Sequence, residues 1–227
     1  LQLVTQKDPS ACGKATTVTV ANSIAMHKNW RGGGSVEGMI TQKDLPNQDC
    51  IKQQPRVLVG MDMNQVRSYI GCFAQEVKIA RATEVGGVEG LRRILRTRLS
   101  TPGHFIAANY DRVSVGQAGV GVAPNATAGH WSPIGAYNIR LDKVLILDVA
   151  RYKYPPLWVP VTAFYKAIYT IDPCGQSAPE SEWIDGAPDL ELWFSLPREQ
   201  AVAEWIRWSS RNLNCSATFR GLLLVDA

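Results

Sequence analysis

A cysteine where a helix begins, a histidine entering a strand and an aspartate leaving one can together build an acyl-transfer site, and this chain holds one such set. Cys12 heads a segment with small residues at Ala15, Ala21 and Ala25 and Val18 between them, a spacing that predicts a buried helix from Cys12 to about Met26. A thiol at a helix N-terminus beside an imidazole has a depressed pKa and becomes an effective nucleophile. Taken alone, a cysteine before a helix is more often a packing residue, so the histidines carry the argument. The chain has three: His27, His104 and His130. His27 lies next to Lys28 in what reads as a polar loop, and His104 follows Pro102-Gly103 at the start of a strand, so both read as structural or surface residues. His130, in Ala-Gly-His-Trp-Ser-Pro, enters a strand after a long Gly-rich loop, a position from which a base can reach across a cleft.

Asp148 ends the apolar run Val144-Leu145-Ile146-Leu147. A buried carboxylate there needs a hydrogen-bonding partner to offset its desolvation. An imidazole N–H is such a partner, and an aspartate so held fixes the tautomer of the base and stabilises the imidazolium. The competing reading is a strand-end residue that caps a turn. Gln6 stands six residues before Cys12, and its side-chain amide can join the Cys12 backbone N–H as an oxyanion hole. Loss of such a donor costs on the order of 100- to 1,000-fold in rate.

The elements that must position these residues follow from periodicity. Helices are expected at Met63 to Phe73, with Val66, Tyr69, Ile70 and Phe73 on one face, at Val88 to Leu99, and from Thr162, as N-cap, through Ile171. A short leading strand precedes Cys12, and His104 to Tyr110, Ser132 to Asn138, Val144 to Val149 and Gly221 to Val225 read as strands. Trp30 to Gly38 is a Gly-rich turn region and Pro46 to Pro55 a polar loop. Helices first and strands later predict an α+β domain of two packed halves. The stretch 173–219 departs from this economy. It holds Pro179, Pro188 and Pro197, four of the seven tryptophans (Trp183, Trp193, Trp205, Trp208) and a helix expected at Arg198 to Arg211. It reads as an inserted subdomain or flap within a single domain spanning 1–227, the other reading being a continuous part of the core.

Composition narrows the classes. With 227 residues, 45% hydrophobic and 19% charged, the chain can bury a core without metals or disulfides, and it has no apolar run long enough to span a bilayer. A net charge of +4, with one basic cluster (Arg92, Arg93, Arg96, Arg98) on an expected helix, describes a solvated helix face better than a nucleic-acid footprint. The chain opens on Leu1 rather than Met, so an upstream segment is expected to have been removed, and a targeting signal would not be visible. The five cysteines (Cys12, Cys50, Cys72, Cys174, Cys215) contain no Cys-x-x-Cys pair, which argues against a zinc ribbon or thioredoxin-type motif. If one is a free nucleophile, the other four are compatible with two disulfides and an oxidising compartment; five reduced thiols in a cytosol fit the count equally well.

The stretches Gln6-Lys-Asp-Pro-Ser-Ala-Cys12-Gly-Lys-Ala, Gly129-His130-Trp-Ser-Pro133 with Ala136-Tyr137-Asn138, and Leu145-Ile-Leu-Asp148-Val-Ala-Arg151-Tyr-Lys-Tyr154-Pro-Pro156-Leu-Trp158-Val resemble the catalytic domain of phytochelatin synthases, the last most specifically. The resemblance is strong around Cys12 and from about 129 to 172, and thin between 30 and 100. It implies a papain-like fold and gives Gln6, Cys12, His130 and Asp148 the roles of oxyanion donor, nucleophile, base and orienter. It further implies that Asp172 and Arg220 hold the γ-glutamyl end of glutathione, an acid and an Arg fork being what a free α-amino and α-carboxylate pair asks for. Arg112, in Asn109-Tyr110-Asp-Arg112, and Gly129 and Trp131 around the histidine are the other substrate-binding positions it suggests.

The implied reaction is attack of Cys12 on the Cys-Gly bond of glutathione, release of glycine, and transfer of the γ-Glu-Cys thioester to water or to a second glutathione. Hydrolysis is the first expectation, because short members of that family lacking a Cys-rich C-terminal domain tend toward it. No cofactor and no protein-held metal are expected; Cd or Zn would act through the glutathione thiolate, and a homodimer is compatible with the family. A peptidase acting on glutathione S-conjugates or other γ-glutamyl compounds, and a non-catalytic thiol protein that sequesters metal, are the alternatives. In relatives, Asp172 and Arg220 are separated by only a few residues, so the ends of the 173–219 stretch are expected to lie together. That allows a Cys174–Cys215 disulfide and favours a periplasmic or secreted setting, with Cys50–Cys72 as a second pair.

Overall fold

The computed structural model describes residues 2–8, 11–30, 38–54, 60–117, 129–172 and 218–227. Helix α1 (Cys12–Trp30) is rich in threonine, yet it sits in the core. Three of its buried hydroxyls donate back to carbonyls one turn earlier, Thr17 to Gly13 at 2.9 Å, Thr19 to Ala15 at 2.9 Å and Ser23 to Thr19 at 2.7 Å. The helix runs one turn beyond the expected end and so takes in His27, which is helical rather than in a loop. Residues 2–8 form no strand; they run as extended chain along α1, with Val4 N–H on Thr19 Oγ1 at 3.0 Å. The Gln6 N–H donates to the Val149 carbonyl at 2.8 Å, tying this segment to the chain just past Asp148.

The expected loop at 46–55 contains a short 3-10 turn, Leu45–Asn47, and helix α2 (Asp49–Lys52). Leu45 and Ile51 are buried there, and a residue pattern this short carries no helical period. A disulfide joins Cys50 in α2 to Cys72 at the end of α3 (Met63–Gly71), with Cα atoms 5.7 Å apart. Helix α3 starts on a capping box, Asp62 accepting from Gln65 N–H at 2.8 Å and the Gln65 side chain accepting from Asp62 N–H at 2.9 Å. Val66, Tyr69 and Ile70 are buried as the spacing required.

Strand β1 (Glu76–Arg81), which the periodicity did not reveal, precedes α4 (Gly87–Ser100) and β2 (His104–Asp111). Then come β3 (Gly129–Asn138), β4 (Lys143–Ile146), β5 (Leu157–Pro160), α5 (Val161–Ile168), β6 (Ile171–Asp172), β7 (Thr218–Phe219) and β8 (Gly221–Asp226). Thr162 does not cap α5: the helix starts at Val161 with Pro160 in the cap position. Six strands form one antiparallel sheet in the order β1-β8-β2-β3-β4-β5.

The fold is α+β as expected, with helices on both faces of the sheet. Ala107, Trp131, Leu223 and Val225 pack with α1 and α3 on one face, while Ile106, Tyr110, Ile134, Ile146 and Leu222 pack with α4 and α5 on the other. This strict alternation is the period-2 signature of a sheet covered twice. The last strand, β8, lies between β1 and β2, so Arg220, just before it, is delivered to the middle of the sheet. The short ladder pairing Ile171 with Phe219 and Asp172 with Thr218 brings the two flanks of the 173–217 stretch together, as the expected proximity of Asp172 and Arg220 required. The stretch itself, with Cys174, Cys215, the tryptophans and the expected helix at 198–211, lies outside the described residues.

Candidate active site

Cys12 is the first residue of α1, and its thiol is buried. Burial pushes the thiol pKa up, and the backbone N–H groups of Trp131 and Gly13 and the charge of Arg112 offset this only in part. The Trp131 contact fixes the sulfur beside the residue that follows His130. At the same end of the sheet Asp148, with no exposed surface, lies two residues beyond β4.

The Asp148 carboxylate is fully engaged. Its Oδ1 accepts from Ala150 N–H at 2.7 Å and from Arg112 Nη2 at 3.1 Å, and lies 3.0 Å from His130 Nε2; its Oδ2 accepts from Gln117 Nε2 at 2.9 Å and Tyr110 Oη at 3.3 Å. Burial works to raise this carboxyl, but the His130 hydrogen bond and charge, Arg112 and the Ala150 N–H together hold it below the ordinary carboxylate value. A turn-capping residue would not gather five partners.

His130 is buried, and burial dominates its protonation: despite Asp148, the imidazole is depressed from 6.5 to about 4, with Arg112 and Lys153 adding to the depression. The Tyr110 ring meets it edge-on, centroids 5.7 Å apart. Arg112 Nη2 lies 2.6 Å from His130 Nε2, and the guanidinium sits 4.6 Å from the Tyr154 ring centroid. With Nε2 turned to the Asp148 carboxylate, Nδ1 is the ring nitrogen left for proton transfer. Burial thus disfavours the charged forms of both the thiol and the imidazole, while the donors around Asp148 favour its carboxylate.

Gln6 is buried, and its Nε2 donates to the Asp8 carbonyl at 2.9 Å and to Tyr152 Oη at 3.0 Å. Asp172 and Arg220 meet at 3.3 Å, both desolvated: burial raises the carboxyl and lowers the guanidinium, with their mutual charge opposing each shift. Arg220 Nη1 donates to Thr170 Oγ1 at 2.7 Å and to the Ile171 carbonyl at 2.9 Å, and Asn109 Nδ2 donates to Asp172 Oδ2 at 2.7 Å. Three buried atoms in this group, Arg220 Nε, Arg220 Nη2 and Asn109 Oδ1, have no hydrogen-bond partner. A Cβ on Gly129 would come within 2.8 Å of Arg220 Nη2, so only glycine there lets the guanidinium reach the residue next to His130.

The structure thus gathers Cys12, His130 and Asp148 at one end of the sheet and sets Asp172, Arg220 and Gly129 beside them. Arg112 lies on the acid–base pair rather than beside Asp172. Trp131 lies in the core, its indole N–H donating to the Met61 carbonyl at 2.8 Å. Asn109, Tyr110, Gln117 and Tyr152 were not singled out. Asn109 and Tyr110 lie in the same short motif as Arg112, a usable signal, whereas nothing local marks Gln117.

The family model for phytochelatin synthase matches residues 1–178. The chain is 33% identical over 171 residues to glutathione gamma-glutamylcysteinyltransferase 3 of Lotus japonicus, covering 74% of this chain and 33% of that protein. It is 32% identical over 173 residues to glutathione gamma-glutamylcysteinyltransferase 1 of Triticum aestivum, and 30% identical over 175 residues to the like-named protein 1 of Arabidopsis thaliana, in each case covering 74% of this chain. It spans about a third of the length of these relatives, 31% and 32% of the latter two. With a family model matched over most of its length and the matched region containing Cys12, His130 and Asp148, this chain belongs to the phytochelatin synthase family.

Proposed function

We propose that the chain is a papain-type acyl-transfer enzyme that removes glycine from glutathione and passes the γ-glutamylcysteinyl unit to water or to a second glutathione. The observation that supports this most directly is an imidazole anchored through Nε2 on Asp148, next in sequence to Trp131, whose backbone N–H meets the thiol at the N-terminus of α1. The Cys12 proton passes to His130 Nδ1 as sulfur attacks the Cys-Gly carbonyl. The oxyanion is met by the Cys12 N–H and the Gln6 amide. The glycine nitrogen then leaves with the proton held by His130, and a thioester remains on Cys12. Water or a glutathione amine, deprotonated by His130, attacks it and returns the thiol.

The pocket complements a zwitterionic amino-acid head: Arg220 Nε, which has no partner, and Nη2, which makes no hydrogen bond beyond its 3.3 Å ion pair with Asp172 Oδ1, suit an α-carboxylate, and Asp172 with Asn109 Oδ1 suits an α-ammonium. Cd or Zn acts through the substrate thiolate. A metal-sequestering thiol protein is disfavoured, because Cys50 and Cys72 are bonded to each other. That disulfide also supports an oxidising compartment. The test is incubation with glutathione, with and without Cd, followed by mass analysis: free glycine with γ-Glu-Cys or phytochelatin sustains the reading, and unchanged glutathione in both arms refutes it.

Two expectations arise here. Arg220→Lys keeps a cation opposite Asp172 but loses the planar fork, so KM for glutathione should rise about 10- to 100-fold, the worth of one lost charge-assisted hydrogen bond, with kcat changed far less. An analogue lacking the glutamyl α-carboxylate should respond little, and an equal loss on both substrates would assign Arg220 a structural role.

The second concerns pH. An imidazole depressed to about 4 is a competent base throughout the neutral and mildly acidic range, so kcat/KM should hold from pH 7 to about 5 and fall as pH drops through about 4. Between 6.5 and about 4 the unfolded chain binds a proton at this residue that the folded one refuses, so His130 stabilises the fold fully above about 6.5 and loses that contribution as pH falls. A rate profile with its acid limb near 6.5 would contradict a buried, neutral His130.

A further inference from the structure

The oxyanion donor assigned to Gln6 is already occupied. A primary amide nitrogen carries two hydrogens, and both of Gln6's are spent: one on the Asp8 carbonyl at 2.9 Å, the other on the phenol oxygen of Tyr152 at 3.0 Å. The Asp8 bond belongs to the scaffold, since the same carbonyl accepts from Ala11 N–H at 3.2 Å and so closes the turn that leads into Cys12. It fixes the plane of the carboxamide and cannot be released without disturbing the start of α1. The hydrogen on Tyr152 is the one a reacting carbonyl can use. The orientation of the amide is itself determined, because Asp8 offers only an acceptor and the nitrogen must face it; Gln6 Oε1 is left buried without a partner.

Tyr152 differs in kind from the rest of the site. It stands in the surface turn that follows Asp148 and Ala150, between Arg151 and Lys153, and 59% of it is exposed, whereas Gln6, His130 and Asp148 are all buried. A ring so exposed can leave its hydrogen bond for water at little cost, while the carboxamide beneath it is fixed. We propose that the Tyr152 hydroxyl occupies the oxyanion hole of the resting site, standing in for the substrate carbonyl oxygen, and that productive binding requires its displacement. Tyr152 is then a positioning residue that acts through Gln6 and sets the apparent affinity for substrate. Its hydroxyl satisfies a buried N–H until the substrate oxygen arrives, and an oxygen that is a poorer acceptor than the phenol fails to displace it. The inference rests on the oxyanion role given to Gln6 above.

The test is Tyr152→Phe, which keeps the ring and removes only the competing oxygen. Both glycine release from glutathione and p-nitrophenol release from p-nitrophenyl acetate are followed, the ester needing the thiol and the oxyanion hole but no γ-glutamyl pocket. One net hydrogen bond sets the scale of the competition. The expected result is an increase in kcat/KM of about two- to tenfold through a lower KM, with kcat unchanged, and no such gain when Tyr152→Phe is placed in a Gln6→Ala background. A fall in kcat would overturn the proposal by making Tyr152 a donor to the oxyanion, and an unchanged kcat/KM would overturn it by showing that the contact carries no weight. A gain with the ester in a protein that leaves glutathione intact would sustain the displacement while refuting glutathione as the substrate.

Discussion

Glycine release from glutathione is expected to vanish in Cys12→Ala and to fall to near background in Cys12→Ser, with both proteins folded. Burial pushes the Cys12 thiol up and the His130 imidazole down, so on the proposed mechanism the reactive thiolate forms as His130 takes its proton. A serine hydroxyl in the same place is a far weaker acid and offers a much poorer nucleophile to the same base. Loss of the nucleophile from a catalytic unit of this kind costs on the order of a millionfold in kcat. The fold should tolerate either change, because each removes or replaces one atom at the first turn of α1, whose register is set elsewhere by buried residues such as Val18, Val20 and Ile24. Acid-quenched wild type, digested after exposure to glutathione, should show the γ-glutamylcysteinyl adduct on the peptide that contains Cys12. Near-normal turnover in Cys12→Ala, with a thermal melt matching wild type, would remove Cys12 from the chemistry.

How much of this was legible beforehand depended on the range of each signal. The α1, α3 and α4 helices follow from apolar spacing within one segment, and the sequence reading placed them within a turn at each end. Strand β1 escaped because Glu-Val-Lys-Ile-Ala-Arg alternates weakly and owes its place to pairing with β8, the last strand in the chain. Strand β4 stops at Ile146 rather than running to Val149: Leu147 N–H still bonds to the Pro133 carbonyl at 3.0 Å, but Pro133 has no N–H to return the bond, and the ladder ends. That departure frees Asp148 to face Arg112 and His130. For the candidate site, residue type and motif picked out Cys12, His130, Asp148 and Gln6, and the fold brings the first three to one end of the sheet. Type and motif could not show that Arg112 touches both His130 and Asp148, nor that Tyr110 and Gln117 complete the carboxylate's shell. Those contacts join residues 36, 38 and 31 positions from Asp148 across strands, and no local pattern encodes them.

The same topology explains why recognition and reaction meet. Antiparallel pairing sets Asn109 opposite Trp131 on one side and Gly221 on the other, so β2 carries one pocket residue between the strand that holds His130 and the strand introduced by Arg220. Asp172 arrives through its own two-residue ladder. On the proposed reaction, a substrate head seated on Asp172 and Arg220 would be beside Gly129, one residue from His130, and the sheet rather than a loop would set the distance from glutamyl head to scissile bond.

Asp148→Asn should be damaging in two separable ways, and more so than an orienting role alone implies. A carboxylate accepts at every lone pair, and here both oxygens are surrounded by donors: Ala150 N–H, Arg112 and His130 on one, Gln117 and Tyr110 on the other. An asparagine amide must turn its NH2 toward one of these sets, setting donor against donor, and the buried Arg112 loses its counter-charge. Breaking a buried pair by removing one partner costs about 3–5 kcal/mol, which for a chain of this size is a fall in Tm on the order of 10 °C. The second effect is catalytic: if the NH2 faces Nε2, the imidazole is driven to carry its proton on Nδ1 and can no longer accept the one from Cys12, a loss of about 10,000-fold in kcat where a serine-protease aspartate is changed in this way. His130→Ala should match the catalytic loss, yet it leaves the Asp148–Arg112 ion pair in place and should melt much closer to wild type. The two variants, compared by glycine release and by thermal melt, thus separate orientation of the base from stabilisation of the core. Wild-type turnover in Asp148→Asn would exclude Asp148 from the site, and equal melting of the two variants would mean that Arg112 does not depend on it.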